Sequence, residues 1–89
     1  MDEAQFKQAC RDEGYGEAEP LSCEPGHSND MHTHEFSAFL FVKEGEFTVV
    51  RETGEKTHTP GDTCKVDAGT LHAERIGVDG ASVLVGRKH

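Results

Sequence analysis

The chain has no tryptophan, only three prolines and only three cysteines among its 89 residues. Cys10, Cys23 and Cys64 are odd in number and form no C-x-x-C pair. They argue against a disulfide framework and against a cysteine-based zinc knot. Basic residues are also scarce, with 9 Lys and Arg against 17 Asp and Glu and a formal charge of −8. Such a surface repels a phosphate backbone, and the closing "GRKH" is too short to serve as a basic arm. Neither nucleic acid nor an anionic membrane is therefore an expected partner. No apolar run reaches the roughly 18 residues of a membrane span. The acidic opening "MDEAQFKQACRDEG" carries no apolar core like that of a signal peptide. A reducing, cytoplasmic setting fits these absences.

What remains is enough for one domain. Hydrophobic residues make up 34% of the chain, which is low. A domain of this size buries only about 60–65% of its unfolded surface, so an internal metal or a second subunit would help it.

Residues 2–13 read as a short helix, with Asp2 and Glu3 at its N-terminal end and Gly14 as its stop. Phe6, Ala9 and Cys10 form one narrow apolar stripe, which must lie on something. Beyond Gly16, turn signals come at close intervals, among them "EPG", "KEG", "ETGE", "TPGD", "DAG" and "VDG". The runs between them are rich in Val, Phe, Thr and Leu. This texture predicts an all-β sandwich or barrel, with strands near 18–23, 33–43, 46–51, 55–59, 63–66, 71–76 and 81–86.

The stretch "HTHEFSAFLFV" carries the first chemistry. Residues two apart share a face of a strand, which puts His32, His34, Phe36, Ala38, Leu40 and Val42 together. Phe39 and Phe41 lie on the opposite face and need a cover of their own. His72, in "AGTLHAERIG", shares a face with Glu74 and Ile76. Three imidazoles can bind a divalent ion, whereas the plain alternative is two exposed histidines and one core histidine. Glu74 is open to three readings: a fourth ligand, a partner for a ligand's second ring nitrogen, or a solvated surface acid. His27, His58 and His89 read as surface residues, with His27 able to approach the site mouth, and Cys64 as a buried, inert thiol.

The spacing of these residues resembles the two motifs of the cupin superfamily, G-x5-H-x-H-x3-4-E-x6-G and G-x5-P-x-G-x2-H-x3-N. The first reads here as Gly26, His32, His34, Ala38 and Gly45, and the second as Gly61, Asp67, Gly69, His72 and Ile76. The resemblance implies a small double-stranded β-helix, or jelly-roll barrel, over residues 17–89, with residues 1–16 as a helix packed on it. It implies one divalent metal ion, such as zinc, iron, manganese or nickel, on His32, His34 and His72. Phe36, Ala38, Leu40 and Ile76 would line the pocket for a small-molecule ligand. Ala38 stands where the metal-binding glutamate usually is, which weakens the analogy to oxalate decarboxylases. Three-histidine cupins exist, including the thiol dioxygenases, so metal binding remains implied. Whether the chain is an enzyme (a dioxygenase, isomerase or lyase) or a non-catalytic sensing module without an essential metal stays open. A homodimer is expected on apolar grounds, because the helix stripe looks too narrow to cover both Phe39 and Phe41.

Overall fold

A computed structural model describes all 89 residues. One helix, α1 (Glu3–Asp12), precedes five strands: β1 (Glu19–Cys23), β2 (Ser37–Arg51), β3 (Gly54–His58), β4 (Thr63–Val66) and β5 (His72–Lys88). Every pairing is antiparallel, in the order β1-β5-β2-β3, with β4 also on β2. This is the expected all-β architecture with one N-terminal helix.

The number of strands differs from the expectation, for a physical reason. Runs 33–43 and 46–51 are one strand, β2, which starts at Ser37; runs 71–76 and 81–86 are likewise one strand, β5. Two of the turn signals mark irregularities inside strands. The β2–β5 register slips between Val42 and Glu44, and again between Gly45 and Phe47. At the second slip Gly45 pairs with Ala81 and Phe47 with Ile76, so residues 77–80 loop out of the ladder. Gly45 has φ of 80°, and a Cβ there would sit 2.0 Å from the Gly80 carbonyl oxygen. Only glycine fits so close an approach of two backbones. Both long strands can therefore bend without breaking.

The bend divides the apolar residues as strand parity predicts. Leu40, Val42, Val83 and Val85 face the barrel interior, in a cluster that also holds Phe47, Val49 and Ile76. Phe39, Phe41 and Leu84 face the other way, onto α1. The helix is pinned by a capping box. The Gln5 N–H donates to Asp2 Oδ1 at 2.8 Å, and the Asp2 N–H donates to Gln5 Oε1 at 2.9 Å. Phe6 and Cys10 are fully buried. The Phe6 ring centroid lies 4.8 Å from that of Phe39 and 5.4 Å from that of Phe41, and Tyr15 closes the far side of Phe39 at 5.3 Å. The stripe is thus wide enough once Tyr15 joins it. The face on which a dimer was expected to rest is filled from within the chain.

His58 is a second correction. It is only 4% exposed, at the end of β3 opposite Phe47. Its Nε2 has no hydrogen-bond partner. A turn-flanking position suggested a surface residue, but the pairing of β3 with β2 carries this side chain inward. Burial, with Lys56 and Arg51 adding to it and Asp62 opposing, holds its pKa below the ordinary 6.5.

Two predictions follow from the packing. Phe6→Ala should destabilise the fold by about 3–5 kcal/mol, the usual cost of emptying a buried aromatic site. Urea unfolding measures this, and a loss under about 1 kcal/mol would mean that the helix is not needed over Phe39 and Phe41. For His58, both folded and unfolded chains are neutral at high pH. As pH falls below 6.5, the unfolded chain takes up a proton that the folded chain resists, so stability declines. His58→Leu should flatten that decline between pH 7 and 5, leaving the part due to His34. An unchanged slope in the variant would put the acid sensitivity elsewhere.

Candidate metal centre

The segment before β2 forms the head of the barrel. Residues 27–32 run antiparallel to the first half of β5 without becoming a regular strand. The Ile76 N–H donates to the His27 carbonyl at 2.8 Å, and Ser28 bridges Arg75. His32 and His72 exchange both backbone hydrogen bonds, at 2.8 and 3.0 Å. A pair that exchanges both bonds sits directly opposite, with side chains on the same side. From there the chain must leave β5 and cross to β2, which explains why 33–36 is irregular and not a strand. The Gly69 N–H donates to the His34 carbonyl at 3.0 Å and ties this crossing to the turn before His72.

Three imidazoles meet as a result. Ring centroids are 4.7 Å apart for His32 and His34, 4.6 Å for His32 and His72, and 5.2 Å for His34 and His72. His32 Nε2 and His34 Nε2 are 3.1 Å apart. Glu74, one turn of the pleat beyond His72, completes the group. Its Oε2 is 3.5 Å from His32 Nε2 and its Oε1 is 3.4 Å from His72 Nε2. One donor atom from each of the four residues falls within 4.8 Å of every other. Glu35, the neighbour of His34, is exposed and lies outside this group.

Two of the rings are fixed from behind. His32 Nδ1 is 2.7 Å from the Asp30 carbonyl, and His72 Nδ1 is 2.9 Å from the Thr70 carbonyl. A carbonyl only accepts, so each Nδ1 must carry the proton, and each Nε2 keeps its lone pair for the centre of the cluster. Burial, reinforced by His32 and His72, holds His34 below its ordinary pKa, with Glu74 opposing. Phe36 stacks on His34 at 4.7 Å with 19° between the planes, which holds that ring too.

Asn29 is a functional residue that no sequence signal marked. Its Nδ2 donates to Glu74 Oε2 at 2.8 Å, and its Oδ1 accepts from the Glu74 N–H at 2.8 Å. This double contact spans 45 residues of chain, and the first motif leaves the position unspecified. It holds the carboxylate aimed at the histidines. The arrangement suits an ion. Ligands about 2.0–2.1 Å from a tetrahedral metal lie roughly 3.3 Å apart, close to the 3.1, 3.5 and 3.4 Å of three donor pairs here, in a group that spans up to 4.8 Å.

Below the cluster lies a cavity of about 220 Å³, walled by His34, His72 and Glu74 at the top and by Phe36, Ala38 and Leu40 among its apolar sides. Three of the four expected lining residues are there. Ile76 instead lines an adjoining cavity of about 270 Å³ with Asn29, Cys23 and His27, on the other side of Glu74. Glu74, Leu21 and Phe47 form the partition between the two.

An antiparallel barrel whose cavity is headed by converging histidines and a carboxylate defines the class of this protein. The chain belongs to the cupin family, whose domain model matches residues 21–85. Solved structures agree in fold. A protein from Thermus thermophilus, TT1209, is 28% identical with a TM-score of 0.66, over 81% of this chain and 70% of that one. An RmlC-like cupin from Shewanella frigidimarina is 25% identical with a TM-score of 0.68, over 80% of this chain and 63% of that one. The DMSP lyase DddQ from Ruegeria pomeroyi is 23% identical with a TM-score of 0.71, over 82% of this chain and 38% of that one. The last likeness is one of fold alone, since this chain spans little more than a third of the lyase. No curated protein matches the chain.

Asn29 supplies the test of this geometry. Asn29→Ala removes the donor that aims Glu74, and zinc affinity should fall about 10–100-fold, the usual effect of losing such an outer partner. Competition with a chromogenic chelator measures it. Undiminished affinity would mean that Glu74 needs no orientation or takes no part.

Proposed function

We propose that this cupin holds one divalent metal ion on His32, His34 and His72, with Glu74 as the fourth ligand, and binds a small molecule in the cavity beneath. The observation that carries the reading is the convergence of three imidazoles and one carboxylate, with the Nε2 lone pairs of His32 and His72 freed by backbone carbonyls behind those two rings. Glu74 supplies the carboxylate that position 38 lacks. Three imidazoles and one carboxylate suit zinc, iron, manganese or nickel. A divalent ion bound there would supply Lewis acidity. The chain's own residues do the rest. Asn29 orients Glu74, Phe36 holds His34, and apolar side chains form most of the cavity wall.

A second reading has its own support. With His32 Nε2 bare, His34 Nε2 can donate to it across their 3.1 Å separation. That pair is then satisfied without an ion, as in a non-catalytic sensing module that binds a small molecule. The three free thiols favour a reducing, cytoplasmic setting for either role. A homodimer would need a surface other than the Phe39–Phe41 face; exposed Leu21 on the edge strand β1 offers one.

Elemental analysis of untagged protein, purified without added metal, separates the two readings. One equivalent per chain is expected, with His34→Ala losing it. Full metal content in the His32→Ala/His34→Ala double variant would overturn the assignment, and a metal-free native protein that still binds a small molecule would favour the sensing module.

A further inference from the structure

The rim of the cavity carries a charge that neither motif accounts for. Val83 and Val85 face the barrel interior, and two residues on, Arg87 continues the same face of β5 to the cavity wall. Its Cα partner across the sheet is Ala38. A cation therefore stands opposite the position where the motif usually places a carboxylate. The guanidinium lies 5.6 Å from the centroid of Phe36, the ring that stacks on His34. Its one ion pair is with Glu19, at 3.6 Å, and the Glu19 side chain is 74% exposed. Exposed pairs contribute little and exchange readily with another anion. Glu74 is the only acid on the cavity wall, and it is turned toward His32 and His72. No lysine lines this wall.

We infer that the cavity binds a small organic monocarboxylate, its carboxylate on Arg87 and its short apolar body against Ala38, Leu40 and Val66 below the histidine cluster. This deepens the reading of the cavity as the ligand site. Size limits the ligand. At about 30 Å³ per water-sized unit, the cavity of about 220 Å³ takes fewer than roughly ten non-hydrogen atoms. A sugar nucleotide does not fit. Charge narrows the class further. The planar guanidinium matches a carboxylate with two parallel hydrogen bonds. A single cation balances one negative charge, and a chain of net charge −8 disfavours a dianion more strongly than a monoanion.

The test is an NMR titration of 15N-labelled protein with butyrate, butanol and methyl phosphate, each with zinc present and after chelation. Butyrate should shift the amides of Ala38, Leu40 and Val85 saturably, and butanol should bind at least about tenfold more weakly. Arg87→Gln should weaken butyrate by a similar factor while its zinc content stays that of the parent. Ala38→Glu, which places an acid opposite Arg87, should also weaken butyrate, and in this variant zinc binding should persist. Equal binding of butyrate and butanol, native butyrate affinity in both variants, or no saturable shift would overturn the inference. Tighter binding of methyl phosphate would overturn the choice of carboxylate. Failure of the metal reading is seen separately. If the native protein holds no metal yet binds butyrate through Arg87, the carboxylate site stands and the metal assignment falls.

Discussion

Strands β2 and β5 pair along almost their whole length, from Ser37–Lys88 at one end to Arg51–His72 at the other. Everything else in the molecule is hung on that pair. β1 adds to the outer edge of β5, while β3 and β4 both add to β2. Two strands this long would make a flat ribbon with nothing to enclose. The slip at Gly45, where only a hydrogen fits against the Gly80 carbonyl, turns the ribbon over on itself. One end of the ladder then places Leu40, Val42, Val83 and Val85 in the interior. The other end delivers His72 and Glu74 to the mouth of the same interior. Core and site depend on a single backbone approach.

Strand parity was legible because it needs only local information. The alternation of Leu40 and Val42 with Phe39 and Phe41 assigns the two faces correctly, and the motif spacing brings His32, His34 and His72 together. Other features were hidden because they depend on what lies across the sheet. "KEG" and "VDG" look like turns, yet each is a bulge, since the deciding contact is between Gly45 and Gly80, 35 residues apart in number and adjacent in space. His58 looks exposed until β3 folds against β2. Asn29 stands in a polar stretch with no periodicity, and its partner Glu74 is 45 residues away. The cover of Phe39 and Phe41 was misjudged for the same reason: Tyr15 lies beyond the helix that was expected to work alone.

The departures from the motif make chemical sense when taken together. With Ala38 in the glutamate position, the carboxylate has moved to Glu74, two residues past His72 and on the same face. That arrangement puts the negative charge at the partition between the two cavities. It also leaves Arg87 facing an alanine. Had a glutamate stood at 38, the two would be cross-strand neighbours and would largely cancel. Alanine at position 38 thus leaves the cavity wall with one acid, Glu74, and one guanidinium, Arg87.

The site is also part of what closes the fold. Residues 27–34 cross from β5 to β2 as irregular backbone, held by the His32–His72 bridge, the Asn29–Glu74 contacts and the Gly69–His34 bond. Each joins the crossing to β5 or to the turn that precedes it, and the first two sit beside the histidine cluster. An ion drawing His32 and His34 to His72 and Glu74 would close the same loop that these bonds close. It would act on the least regular segment of a small domain, where added constraint has most to contribute. Ion binding and ordering of the crossing are then one equilibrium, because a preformed set of four donors exists only when the crossing is in place. Asn29 fits the same linkage: its two hydrogen bonds to Glu74 order the loop whether or not the centre is filled.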